Sequence, residues 1–300
     1  MKKQPEVSFR ADESIAAGVV RIADVLIGYA TDRIARRQDD RTRDVHAIRV
    51  SIKRLRALLR LIRPAIGEAA FERENAALRT CGRRLAFSRD MTIVQQTLSA
   101  LAESLRNKGD RQVVRQALSH SEMRLDPRLE IEQAMQDVAR TLQRAAGRIK
   151  RMKLAGSEWQ TVGKGLRVVY AQARKRMQIA FTKRSDKAYH EWRIRVKNLY
   201  HQLQMLDPMW PKRLKRLAAR LKTLQAGIGA DHDLVVVKSL LLDQPDAFGG
   251  DEAVRRLAGL LEAKSRQLRS KSRPLGKALF REEPGAFIRK LGRHWRAWRA

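Results

Sequence analysis

The amino-acid sequence predicts an all-α protein made of two tandem helical halves, residues 1–155 and 156–300. Leu, Ala, Arg and Lys, which favour helices, dominate the chain, whereas Gly and Pro number only 17 and 8. Strand-like alternation of apolar and polar residues is hard to find. An internal repeat is the third observation, because it places equivalent helices in both halves.

The composition predicts a folded protein without a membrane span. A 300-residue chain with 43% hydrophobic residues can form a substantial core. Its single cysteine, Cys81, cannot form an intrachain disulfide, which favours a reducing compartment. No apolar run follows the basic start, and no apolar window reaches the roughly 18 residues that a spanning helix needs. We therefore expect a cytoplasmic location.

The net charge of the chain indicates which class of partner it binds. The chain carries 64 Lys and Arg against 32 Asp and Glu, a formal net charge of +32. Such an excess destabilises the compact state by self-repulsion. A polyanionic partner explains it, whether nucleic acid, an anionic membrane surface or a phosphate polymer. The alternative is a basic surface kept for solubility, although acidic residues would serve solubility as well.

Two segments define the repeat: residues 45–64, VHAIRVSIKRLRALLRLIRP, and residues 189–208, YHEWRIRVKNLYHQLQMLDP. With His46 aligned to His190, their apolar residues coincide at alternating spacings of 3 and 4, which form one buried stripe of an α-helix. Both segments end at a proline, which is expected to limit both helices. The stripe consists of Val45, Ile48, Ile52, Leu55, Leu59 and Ile62 in the first helix and Tyr189, Trp192, Val196, Leu199, Leu203 and Leu206 in the second.

The other elements follow in order. A helical pattern at 14–37 has its counterpart at 158–183, and residues 77–94 match 220–237 at an offset of 143. Further predictions are a basic helical stretch over 110–152 with a break near Asp126-Pro127, a turn at 243–252 between the last two long helices, and a short helix after Pro284.

A second face of each repeated helix is basic. At the same alternating spacings of 3 and 4, the first helix carries His46, Arg49, Lys53, Arg56, Arg60 and Arg63. The equivalent residues of the second helix are His190, Arg193, Lys197, Tyr200, Gln204 and Asp207. Like charges one turn apart mildly destabilise a helix. The match of His, Arg and Lys between the halves therefore indicates a function, with a solvated helix face as the alternative.

The frame His-x-x-Arg-x-x-x-Lys-[Arg/Asn]-Leu, present as VHAIRVSIKRLR and YHEWRIRVKNLY, resembles the repeated signature of the CHAD family, the conserved-histidine α-helical domain. The resemblance extends over about residues 9–280. It implies a single domain, residues 1–300, in which two tandem antiparallel four-helix bundles pack about a pseudo-two-fold axis around a basic central cavity. It also implies binding of inorganic polyphosphate and, in bacteria, association with polyphosphate granules.

The resemblance assigns binding to the two motifs and to two corners, Arg89-Asp90 and His232-Asp233. From the sequence alone, the two aspartates are interpreted as helix caps. Basic residues are expected where Asn198 and Tyr200 stand, and His232 also departs from the family pattern, so the second half is expected to contribute less charge. The candidate polyphosphate-binding residues are His46, Arg49, Lys53, Arg56, Arg60, Arg89, His190, Arg193, Lys197 and His232.

No enzyme signature accompanies these residues, and neither a cofactor nor a metal is expected. The sequence lacks a phosphate-binding loop, clustered carboxylates and the ExExK strand of the CYTH triphosphatase domain that is fused to some CHAD proteins. We expect a stand-alone, non-catalytic protein. The alternative function is non-specific binding to RNA or DNA backbones, but aromatic residues for base stacking do not alternate with the basic rows. Only Trp295 and Trp298 in the tail look available.

Overall fold

The computed structural model describes residue 5 and residues 7–36, 41–85, 87–121, 128–156 and 158–300, with the backbone alone for 87–92, 120–121 and 128–130. These ranges contain helices and no strand. The α-helices are α1 (Ile15–Ala35), α2 (Arg41–Ile66), α3 (Glu68–Arg84), α4 (Phe87–Ser104), α5 (Lys108–Ser121), α6 (Arg128–Lys150), α7 (Glu158–Lys183), α8 (Asp186–Met205), α9 (Pro211–Asp243), α10 (Gly250–Leu279) and α11 (Pro284–Arg299).

The helices confirm the predicted repeat. The repeated segments form α2 and α8, each followed by a helix that begins 143 residues from its counterpart, α3 at Glu68 and α9 at Pro211. The first half is interrupted between α3 and α4, whereas α9 continues without a break for 33 residues. Asp90 lies in the first turn of α4 and Asp233 lies inside α9, so the interpretation of the two aspartates as helix caps was wrong.

The helix ends differ from the prediction in detail. Pro64 does not stop α2, which continues to Ile66, because a proline in the last turn removes only one backbone hydrogen bond. Pro208 lies beyond the end of α8, in a 3-10 turn, Asp207–Met209. The turn between α9 and α10 and the short helix α11 are confirmed. The predicted break at Asp126-Pro127 lies outside the described residues.

The apolar stripes of α2 and α8 form the centre of the larger hydrophobic core. All twelve stripe residues are buried, and none is more than 3% exposed. α2 also lies very close to α7, since a Cβ atom on Gly165 would come within 1.8 Å of the Leu61 carbonyl oxygen. Glycine at this position is what permits the two helices of different halves to touch.

A second, smaller core joins α4 and α5 of the first half to parts of α9 and α10. Val94, Leu98 and Val114 pack there with Val237 and Leu257. Each half thus contributes helices to both cores. The fold is the predicted all-α arrangement of two four-helix bundles about a pseudo-two-fold axis.

Two further observations concern surfaces. Trp295, which seemed available for stacking, is 2% exposed and packs against Phe9 and Trp159. No helix in the described ranges combines the length and apolarity that crossing a membrane requires.

Candidate anion-binding cavity

A cavity of about 250 Å³ lies where α2 and α8 meet α4 and the C-terminal half of α9. Among the residues whose side chains are described, six Lys and Arg side chains and one carboxylate, that of Asp233, line it. We call it the central cavity. Its lining residues are Arg49, Lys53, Arg56 and Arg60 from α2, Ile93 from α4, Arg193, Ile194, Lys197 and Asn198 from α8, and His232, Asp233 and Val236 from α9.

Asn75 of α3 orients two arginines of the α2 row, Arg56 and Arg60. Its Oδ1 accepts one hydrogen bond from Arg56 Nε at 3.1 Å and another from Arg60 Nη2 at 3.0 Å. Arg60 Nη1 also donates to the Arg56 carbonyl oxygen at 3.0 Å. Two guanidinium groups are therefore held side by side by neutral acceptors, and neither forms an ion pair with a carboxylate in the described ranges.

This arrangement is electrostatically costly while the cavity is empty of anions. Burial and, after it, the charges of Arg56, Arg195 and Arg63 lower the pKa of Arg60 to about 10. Burial likewise lowers the pKa of Arg56. A bound anion reverses the sign of the local field and stabilises both cations. The charge of the cavity lining therefore favours an anionic ligand.

The α8 side of the cavity offers fewer cations. Arg193 and Lys197 line it, but Tyr200 and Gln204 occupy the positions equivalent to Arg56 and Arg60, and Gln204 Nε2 donates to the Tyr200 hydroxyl at 3.1 Å. Asn198 is 8% exposed, and its Nδ2 has no hydrogen-bond partner within the described part of the chain. A buried amide donor at a cavity wall is suited to an oxygen acceptor from a ligand.

The histidines occupy different environments. His190 and His232 lie in contact, with 3.2 Å between their Nδ1 atoms. Because one Nδ1 must donate and the other accept, at most one of the two rings is protonated in this contact. Burial, followed by the charge of Arg193, lowers the pKa of His190. His232 lines the cavity, whereas His190, which is half-buried, and His46, which is exposed on α2, are outside the lining.

The structure thus brings seven of the ten candidate residues to one cavity, with His190 touching the seventh, His232. The side chain of Arg89, in the first turn of α4, lies outside the described part of the structure. Sequence reasoning missed Asn75 as an orienting residue. The available signal was a polar residue between Phe71 and Leu78 on the buried side of α3, where it is only 8% exposed.

Where side chains are described, no three His, Cys, Asp or Glu residues come together in a group able to hold a metal ion. What the cavity provides instead is a row of forked and compact cations, which bind phosphate oxygens directly.

Comparison with known proteins agrees with the fold and the motif. A sequence model of the CHAD domain matches residues 26–242. A crystal structure of the CHAD domain from the plant Ricinus communis superposes with a TM-score of 0.66 at 18% identity, covering 93% of this chain and 96% of that one. No curated protein matches the sequence. Since the family model covers well over half of its length, the chain belongs to the CHAD domain family.

Proposed function

We propose that the chain binds inorganic polyphosphate in the central cavity and does not hydrolyse it. The observation that supports this most directly is the pair Arg56 and Arg60, held together by Asn75 with no carboxylate partner in the described ranges. Family membership supports the same function, because the resemblance to the CHAD family implies binding of inorganic polyphosphate.

The chemistry of the cavity fits a chain of phosphates. Arginine presents forked donors to phosphate oxygens, and lysine adds a compact charge. The low dielectric of a half-buried cavity strengthens each of these interactions relative to those at an open surface. Binding also releases counterions from the polyanion, which makes affinity fall steeply with salt.

Binding to nucleic acid backbones is the alternative. Non-specific single-strand binders stack bases on aromatic side chains. The described residues that line the central cavity include no Phe, Tyr or Trp, while Trp192 on α8 is fully buried in the core. A polymer of phosphates without bases therefore suits the cavity better. We extend the proposal to location: a protein with this site associates with polyphosphate granules in the cytoplasm.

A competition titration tests this function. Fluorescent long-chain polyphosphate is bound to the protein at fixed salt and then displaced by unlabelled polyphosphate or by single-stranded RNA at equal phosphate concentration. We expect RNA to displace the probe at least tenfold less effectively. Equal displacement would replace the proposed function with the nucleic-acid alternative.

A further inference from the structure

A second cavity lies away from the central one, between the N-terminal half of α9 and the C-terminal end of α10. Its volume is about 640 Å³, more than twice that of the central cavity. We call it the peripheral pocket. Five cations line it: Arg213, Arg216 and Arg220 of α9, Lys277 of α10, and Arg281 in the turn that follows.

These five cations carry positive charge that the protein does not balance. None of them forms an ion pair or hydrogen bond with another residue in the described ranges, and all five are exposed. Among the described lining residues Glu282 is the one carboxylate, and its Oε1 already accepts a hydrogen bond from Lys290 Nζ at 2.6 Å. The pocket therefore has excess charge that only a ligand or solvent ions can neutralise.

The floor of the pocket is fixed. Tyr170 is buried, stacks on Phe287 with 4.3 Å between ring centroids, and its hydroxyl lies 3.1 Å from the Glu282 carbonyl oxygen. Arg174 Nε donates to the Phe280 carbonyl oxygen at 3.2 Å, and the same side chain pairs with Glu283 at 2.5 Å. The turn between α10 and α11 is thus held in place before any ligand binds, which lowers the entropic cost of binding.

The first half has a counterpart to one of these cations, and there a carboxylate neutralises it. At the offset of 143, Arg216 corresponds to Arg73 and Leu217 to Glu74. Glu74 is fully buried and accepts hydrogen bonds from Arg148 at 2.6 and 2.9 Å and from Arg73 at 2.9 Å. The first half therefore supplies its own anion, and the second half has a leucine in that place.

We infer that the peripheral pocket is a second binding site for phosphate groups of a polyphosphate chain, an inference that rests on the proposed function. Leu217, at the pocket, and Asp233, at the central cavity, are 16 residues apart on the single helix α9. This corresponds to about 24 Å at 1.5 Å per residue. One molecule therefore holds two separate chain segments and links polyphosphate chains to one another.

Calorimetric titration with tripolyphosphate tests the inference, because this probe is too short to reach from one site to the other. We expect each polypeptide of the parent protein to bind two tripolyphosphate molecules and each polypeptide of R213Q/R216Q/R220Q to bind one. A matched control, R106Q/R115Q/R255Q, removes the same charge from exposed positions outside both cavities and should still bind two. Thermal unfolding checks that both variants fold.

A second variant tests the pocket without removing any cation. Leu217→Glu introduces the carboxylate that the first half has at Glu74, and it should also reduce the stoichiometry from two to one. Long-chain polyphosphate should then form cross-linked assemblies, seen as light scattering, with the parent and the control triple variant but not with either pocket variant.

The outcomes separate this inference from the proposed function. The parent protein could instead bind one tripolyphosphate per polypeptide. If R56Q/R60Q abolishes that binding and R213Q/R216Q/R220Q does not, the central site stands and the peripheral site is overturned. Loss of RNA affinity in the pocket variants with an unchanged stoichiometry of two for tripolyphosphate would also overturn it, because the pocket would then be a nucleic-acid contact. Stoichiometry that falls with the pocket variants but not with R56Q/R60Q supports the pocket and removes the central site from the proposed function.

Discussion

The two halves share one arrangement of helices but place their charges differently. On α2 the basic row continues to Arg56 and Arg60, which Asn75 orients toward the central cavity. On α8 the equivalent positions hold Tyr200 and Gln204, hydrogen-bonded to each other. On the next helix the contrast reverses, because Glu74 neutralises Arg73 and Arg148 in the first half, whereas Leu217 takes its place beside Arg216, the counterpart of Arg73, in the second.

This difference teaches that the repeat preserves packing more strictly than it preserves chemistry. The apolar stripes of α2 and α8 are equally buried. A polar substitution in either stripe would bury a polar group without a hydrogen-bond partner, which costs free energy of folding. The basic faces are free to diverge. The first half directs half-buried cations to the central cavity, and the second half directs exposed cations to the peripheral pocket.

The largest effect is expected from removing the charge of Glu74. Glu74→Gln leaves Arg148 beside a buried amide instead of a carboxylate, and breaking a buried ion pair costs about 3 kcal/mol of unfolding free energy. Urea denaturation measures this loss. Glu72→Gln, an exposed position on the same helix, is the control and should lie within about 0.5 kcal/mol of the parent. Equal stability of the two variants would contradict the role given to Glu74.

The second effect concerns binding by the first half. R56Q/R60Q removes two charge-assisted contacts, each worth about 1.4 kcal/mol, so polyphosphate affinity should fall about a hundredfold. The matched pair on α8, Y200F/Q204A, removes a hydrogen bond but no charge and should change affinity less than about threefold. Fluorescence titration at fixed salt measures both. Comparable losses in the two variants would mean that the halves do not differ as described.

The third effect is a pH dependence of stability that belongs to the second half. His201 is buried where the first half has Ala57, and burial, followed by the charge of Arg54, lowers its pKa to about 3. Below the ordinary pKa of 6.5 the folded state therefore binds fewer protons than the unfolded state. The contribution of His201 to the free energy of unfolding is complete above pH 6.5 and is lost as the pH falls. From pH 7 to pH 5 the loss should be about 2 kcal/mol.

His201→Gln is the variant that isolates this contribution. It keeps an amide able to hydrogen-bond Gln204, whose Oε1 lies 3.3 Å from His201 Nδ1, but it cannot titrate. Urea denaturation at pH 7 and pH 5 should therefore show a smaller loss for the variant by about 2 kcal/mol. If the parent and the variant lose the same amount, His201 does not control the acid sensitivity.

The smallest effect separates orientation from charge. Asn75→Ala keeps Arg56 and Arg60 but removes their shared acceptor, so affinity should fall about fivefold, the equivalent of one hydrogen bond. Asn75→Asp keeps the geometry but supplies an anion and should weaken binding more than alanine does. The same titration measures both variants. Binding by Asn75→Asp at the parent's affinity would show that the local charge balance does not matter.

Much of the fold could be predicted from the sequence, because a stripe at spacings of 3 and 4 records burial directly. The positions at which helices end were harder to predict. The sequence around Asp233 has the same basic-Asp pattern as the corner at Asp90, yet α9 continues through it, because its apolar residues pack in both cores. The α2 and α8 rows were found because the repeat exposed them. Asn75 was not, since its role depends on a contact between helices that no local spacing records.

The central claim is that the cations of α2 contact phosphate oxygens, and the salt dependence of binding tests it most directly. The slope of log affinity against log salt counts the phosphate charges that are neutralised. For long-chain polyphosphate, R56Q/R60Q should reduce the magnitude of this slope by about two relative to the parent, and Y200F/Q204A should leave it unchanged. An identical slope for R56Q/R60Q and the parent would contradict the claim, because the two arginines would then contribute nothing to phosphate contact.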